Sequence, residues 1–423
     1  MMIPFYDLVV GFILVSTVFE FYLDFRQYQC DKSKTVPSAV RQHVDEAEFI
    51  KSQDYQRAKR EFGLLRSAFS LTETLLFLHF EVLPFFWNYA SALLVSLDSP
   101  YFPNSEIPRS LVFMFIINLY NTLIGIPFSL YSNFVLEERF GFNKLTARIF
   151  IMDLLKGQML TVLLGTPVLS AIIYCINWGG ESFYLYLWLL ILLITIIGIT
   201  IYPTIIAPLF NKFTPLEEGE LRSKIYALAE KLNFPLTKLF VVDGSTRSSH
   251  SNAYFFGFFK NKRIVLFDTL LEQCDHEGVV AVLAHEMGHW KYSHTLKMLL
   301  INQVYIFVFL FTFSYALYEH SLYAAFGFDQ PAAMIGIMLF SYIYSPMDHA
   351  FHFVMNMLSR RFEFQADEFA SHLGLDLEPP LVCIHIKNLG SLVCDPWYSA
   401  YHHSHPTLVE RLEAIRRSRR KST

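Results

Sequence analysis

Seven long apolar stretches constrain what this chain can fold into more than any other feature. They lie near residues 3–23, 66–95, 110–135, 148–177, 183–210, 296–318 and 331–357. A helix crossing a bilayer needs about 20 mostly apolar residues, and each stretch is long enough. Composition agrees, with 53% of the 423 residues hydrophobic and 17% charged, against about 25% charged in soluble domains. The chain therefore reads as an α-helical multi-span membrane protein with seven transmembrane helices, and the lipid bilayer is its first partner. The first stretch, Ile3 to Leu23, has neither a basic leading region nor a small-residue cleavage site, which marks a retained span rather than a signal peptide. Pro84, Pro203 and Pro208 interrupt the second and fifth stretches, where kinks or span ends are expected.

Charge sorts the connections. Arg26, Lys32, Lys34, Arg41, Lys51, Arg57, Lys59 and Arg60 crowd the 24–61 loop, whereas 96–108, 178–182 and 319–330 hold no Lys or Arg. The 211–294 segment and the tail from Arg360 are basic as well. The positive-inside rule then places the basic segments in the cytosol and the amino terminus in the lumen. A net charge of -4 argues against a nucleic-acid partner. The five cysteines lack paired spacing, so neither a disulfide framework nor a cysteine metal site is expected. Glu73, His79, Asn118, Asn121, Asp153, Gln158, Asn302 and Gln303 fall inside the apolar stretches. Such groups face protein or water at membrane depth, so a water-containing interior between the spans is expected. Asp348, His349 and His352 read as lining that interior or packed within it rather than as a second metal site.

The chemistry begins at His285-Glu286-Met287-Gly288-His289. The apolar run Val279 to Ala284 ahead of it indicates a helix, on which residues four apart share a face. His285 and His289 can then turn their imidazoles to one metal ion, with Glu286 beside them as general base for metal-assisted hydrolysis. Gly288 keeps the face beside the metal open. A catalytic zinc takes a third protein ligand and leaves a position for water. Glu363 is the candidate for that ligand, with Asp367, four residues on, hydrogen-bonding a ligand histidine from behind. His405, ahead of Pro406, is a candidate donor to the oxyanion of a hydrolytic intermediate, and Arg411 supports either that oxyanion or the ligands.

These pieces occur in a fixed order with Ser251-Asn252-Ala253-Tyr254-Phe255-Phe256-Gly257, Val265 to Leu271, Ser359 to Asp367 and Ser404 to Leu412. Together they resemble the type I CAAX prenyl proteases, integral-membrane zinc endoproteases of the endoplasmic reticulum and nuclear envelope. Glu137 to Lys144 and Pro208 to Leu216 fit the same pattern. The resemblance implies spans enclosing a large intramembrane chamber, one Zn2+ per chain, and Asn252 and Ala253 as residues that hold the substrate backbone. It also implies prenylated CAAX proteins or peptides as substrates.

The soluble part reads as a zincin-like metalloprotease domain with a small β-sheet. Leu221, Ile225, Leu228, Ala229 and Leu232 make 217–232 an amphipathic helix. Segments 239–242 and 263–267 read as strands, with 252–259 an extended edge suited to adding a peptide substrate as a further strand. The expected layout is spans 1–5 over 1–210, a cytosolic metalloprotease segment over 211–294, spans 6 and 7 over 295–358, and a cytosolic segment over 359–423 that completes the zinc site. The expected function is removal of the three residues after a prenylated Cys, at the endoplasmic reticulum or inner nuclear membrane. A quality-control zinc peptidase that needs no prenyl group is the alternative enzyme, and a multi-span transporter or scaffold the alternative from another class.

Overall fold

The computed structural model describes residues 4–100, 103–257 and 261–422. Ile3, at the head of the first apolar stretch, and Phe258 and Phe259, at the tail of the expected edge strand, lie outside the described residues.

The apolar stretches fold as helices. The first is α1 (Phe5–Cys30). The second is split into α2 (Glu46–His79) and α3 (Val82–Leu97), which meet at 63°. The break lies at Phe80 and Glu81, with Glu81 left-handed at φ 51, rather than at Pro84 itself. Pro84 still explains it. Its ring would strike the carbonyl of Phe80, four residues back, while within the first turn of α3 its missing N–H costs nothing. Much of the expected 24–61 loop is also helical, since α1 runs to Cys30 and α2 starts at Glu46, capped by Asp45.

Next come α4 (Glu106–Tyr131), α5 (Ala147–Trp178) and α6 (Phe183–Ile201). Pro203 and Pro208 do not end the fifth span. The helix continues through a π-helical stretch, Tyr202–Ile206, into Ala207–Phe210, the wider turn accommodating the prolines.

A four-stranded mixed sheet follows, built from β1 (Phe213–Pro215), β2 (Leu236–Val242), β3 (Ala253–Phe256) and β4 (Lys262–Phe267) in the order β1-β2-β4-β3. Strands β2 and β4 are parallel and the outer pairs antiparallel, which leaves β3 as an edge. Helix α7 (Glu220–Leu232) buries the five apolar residues its periodicity picks out. They pack with Ile264 and Leu266 of the sheet and with Val279, Leu283 and Met287 of α8 (His276–Lys291). The carboxylate of Asp275 caps α8 by accepting from Gly278 N at 2.8 Å.

The chain then returns through α9 (His294–Ala316) and α10 (Ala333–His372), and closes with α11 (Glu378–Lys387) and α12 (Leu408–Ser422). Among the described residues five helical runs are long and apolar enough to cross a membrane, and the bent α2–α3 pair, taken as one span, makes a sixth. The seventh expected span is the first part of α10, whose apolar run is diluted by Asp348, His349 and His352. At 40 residues α10 is unbroken, so no structural boundary falls at 358.

Several polar side chains within the spans satisfy one another. Tyr120 donates to Glu73 at 2.6 Å, Asn118 to Gln158 at 2.5 Å, and Gln158 to Thr122 at 2.8 Å. His79, Asn121 and Asn302 remain exposed. Tyr305 donates to Asp348, and His349 Nδ1 lies 2.6 Å from Tyr401 Oη. Asp348 and His349 thus have hydrogen-bond partners on neighbouring elements.

Candidate active site

The site forms where α8 lies against α10. Gly288 makes the close approach possible, because a Cβ there would meet Phe369 Cδ1 at 3.1 Å and Ala366 Cα at 3.2 Å. Its role is therefore to admit α10 rather than to keep the metal face open. The approach brings Glu363 of α10 onto the two histidines of α8. His285 Nε2 lies 3.2 Å from His289 Nε2 and 3.5 Å from Glu363 Oε2, and His289 Nε2 lies 3.2 Å from Glu363 Oε1. Among the described residues this is the one group of three or more His, Cys, Asp or Glu side chains arranged to hold a metal ion.

Behind the cluster Asp367 sits 2.8 Å from His285 Nδ1. A carboxylate only accepts, so it keeps the His285 proton on Nδ1 and leaves Nε2 as a free lone pair facing the centre. Arg411, brought in by α12, grips Asp367 in bidentate fashion, Nε to Oδ2 at 2.8 Å and Nη2 to Oδ1 at 2.6 Å. Arg411 thus supports the ligand side, 3.7 Å from Glu363 Oε2. His405 stands at the rim with Nδ1 3.0 Å from Glu363 Oε2 and 64% of its side chain exposed.

The carboxylates of the site are driven in opposite directions. Burial alone would raise the pKa of Glu363, but the imidazoles of His285, His289 and His405 reverse the sign and hold it far below the usual carboxylate range. Burial raises Glu286, and among the described residues no hydrogen-bond donor opposes the rise.

Asn252 is exposed at the start of the edge strand β3, with Oδ1 accepting from Ala253 N at 2.8 Å and its carbonyl accepting from Phe267 N at 3.1 Å. Ala253 is turned inward, its side chain in the core beneath the sheet and its backbone paired with Leu266. The two therefore differ in what they offer a substrate, since only Asn252 faces outward.

Residues 26–212 match the family described as the CAAX prenyl protease N-terminal region of five membrane helices, and residues 215–419 match peptidase family M48. The chain belongs to the CAAX prenyl proteases of family M48. A CAAX prenyl protease 1 homolog of Arabidopsis thaliana is 46% identical, covering 98% of each chain. CAAX prenyl protease 1 of Saccharomyces cerevisiae is 39% identical, covering 98% of this chain and 95% of its own. The crystal structure of S. mikatae Ste24p superposes with a TM-score of 0.94 at 39% identity, covering 98% of this chain and 100% of that one. The chain is accordingly a multi-pass membrane metalloprotease, and the transporter and scaffold readings fall away.

Two side chains of this CAAX prenyl protease site escaped the sequence reading. His294, 2% exposed, places Nδ1 3.0 Å from His289 Nδ1, and Gln365 Oε1 lies 3.0 Å from His294 Nε2. His294 lies beyond a turn after the motif helix, and Gln365 stands between two acidic candidates. A second histidine five residues past His289 was the available signal.

Proposed function

We propose that this protease is a zinc endopeptidase that removes the last three residues of proteins ending in a prenylated Cys. One observation carries the zinc reading. Nitrogen and oxygen ligands about 2.0–2.2 Å from a tetrahedral zinc lie about 3.3–3.5 Å from one another. The three ligand–ligand separations here are 3.2, 3.5 and 3.2 Å. Glu363 Oε2 is, in addition, a buried oxygen with no aligned hydrogen-bond donor, as a ligand atom would be.

Zinc, when bound, supplies Lewis acidity for the scissile carbonyl and for water. The chain supplies the rest. His285, His289 and Glu363 form the holding face. Glu286, its basicity raised by burial, takes the proton of the attacking water and returns it to the departing amine. His405 reaches in from the rim to donate to the oxyanion, and Asn252 holds the substrate backbone beside β3.

The prenyl requirement draws on the names of the relatives and on the course of α10. Glu363 lies six residues beyond the apolar part of that helix, about 9 Å along its axis at 1.5 Å per residue. A lipidated Cys at the site would thus have its hydrocarbon tail within reach of the bilayer. The endoplasmic reticulum membrane, facing the cytosol, is the proposed location. The test is cleavage of matched farnesylated and unmodified peptides by the purified chain. We expect cleavage after the modified Cys only, lost on chelation and restored by zinc. Equal cleavage of both peptides would favour the quality-control alternative.

A further inference from the structure

The two histidines of the motif are steadied by different groups. His285 has a carboxylate behind it, that of Asp367. Behind His289 stands the imidazole of His294, with Nδ1 to Nδ1 at 3.0 Å, and behind that the amide of Gln365, with Oε1 3.0 Å from His294 Nε2. The His294 ring is itself held flat against Phe362, with centroids 4.0 Å apart and planes 6° from parallel. The turn that carries it back toward α8 takes a left-handed Ser293, φ 55.

Hydrogen counting gives this chain of groups a single direction. His289 turns Nε2 to the centre, so its hydrogen must sit on Nδ1. Among the described residues the only acceptor this Nδ1 meets is His294 Nδ1, which must be bare, so the His294 hydrogen sits on Nε2 and the oxygen of the Gln365 amide accepts it. Each donor finds an acceptor, and the last one is neutral. The opposite order would aim a hydrogen from His289 Nε2 at the ion.

We propose that His294, held by Gln365 and Phe362, is the positioning residue of His289 and fixes the tautomer in which His289 binds zinc. The proposal rests on the zinc reading above. The partner behind a ligand histidine is worth about 10–100-fold in metal affinity.

The test compares the full chain with His294→Phe and His294→Asn, reading zinc affinity by chelator competition and the visible spectrum of the Co2+-loaded proteins. Phenylalanine keeps the ring stack on Phe362 but cannot accept a hydrogen bond. Asparagine loses the stack but places its amide oxygen where His294 carries Nδ1. Zinc affinity is expected to fall about 10–100-fold in His294→Phe, with an altered cobalt spectrum, and to recover in large part in His294→Asn. Gln365→Met leaves His294 in place while removing the acceptor behind it, and is expected to weaken zinc in the same direction. It serves if His294→Phe does not fold. Wild-type affinity in His294→Phe overturns the proposal, as does an equal loss in both His294 variants, which would make the ring a structural prop. A wild-type chain that holds no zinc overturns the metal reading and this proposal with it.

Discussion

Glu286 and Glu363 carry the same functional group in opposite surroundings, which suits them to the opposite roles proposed for them. Imidazoles surround Glu363 and keep it ionised, while for Glu286 burial outweighs the nearby charges of His285, His289 and Arg411 and makes it more basic. Such a split between neighbouring carboxylates separates a binding group from a proton acceptor. Replacing Glu286 with Gln should leave zinc content near wild type and lower kcat by about 10²–10⁴-fold, the usual worth of a general base. In His285→Ala, zinc content itself should fall. Metal analysis and turnover on the same preparations check both, and retained turnover in Glu286→Gln would sink the assignment. At β3, Asn252→Ala removes a group whose hydrogen bond is worth about 0.5–1.5 kcal/mol, or about 1–3 when a buried partner is left unsatisfied. Roughly ten- to a hundredfold in kcat/KM should be lost with zinc unchanged, since each 1.36 kcal/mol is tenfold in rate. Wild-type kcat/KM would make Asn252 a turn residue only.

Among the elements, those with a strong local period could be read from sequence and those decided by packing could not. The five apolar residues of α7 are buried as their spacing requires, and His285 and His289 meet because a single helix carries both. The break between α2 and α3 was displaced, because proline acts on the carbonyl four residues back. The continuity of α10 was hidden by the change from an apolar to a charged sequence after Leu358, at Arg360, Arg361 and Glu363, through which the helix runs on unbroken. Packing also decides Gly336 of α10. A Cβ there would collide with Tyr323 Oη, which is fully buried and donates to Leu317 O at 2.7 Å. Gly336→Ala should cost about 1–3 kcal/mol as an overpacked contact. Tyr323→Phe alone should cost about 0.5–1.5 kcal/mol for the lost hydrogen bond. In the double variant the offending oxygen is gone, so the two losses should fall short of additive. Thermal unfolding of the four proteins measures this, and strict additivity would show that the contact is not shared.

Over the whole molecule, the helices have two chemically different ends. At one, Arg26 pairs with Asp395 at 2.8 Å, Gln27 Nε2 donates to Val393 O at 3.0 Å, and Val40, Val44 and Phe49 pack on Leu408 and Leu412. The basic 24–61 segment therefore joins the carboxyl-terminal segment that carries Arg411 to the metal site. At the other, Glu106 accepts from Asn177 and from Ala333 N, and Leu322 and Phe326 of the 319–330 connection, which holds no Lys or Arg, pack on Trp87 and Phe113. One end is thus basic and carries the site, while the other lacks Lys and Arg in its connections. From this asymmetry the positive-inside rule predicts an orientation with the site in the cytosol. Single cysteines placed in a cysteine-free background test it with a membrane-impermeant thiol label on intact microsomes. Exposed positions at the two ends are available, Lys34 and Glu413 at the first, Asp98 and Asp329 at the second. Lys34→Cys and Glu413→Cys should label at once, Asp98→Cys and Asp329→Cys only after permeabilisation. Labelling of Glu413→Cys on the same side as Asp329→Cys would break the seven-crossing arrangement, because α10 would then fail to carry the chain from one face to the other.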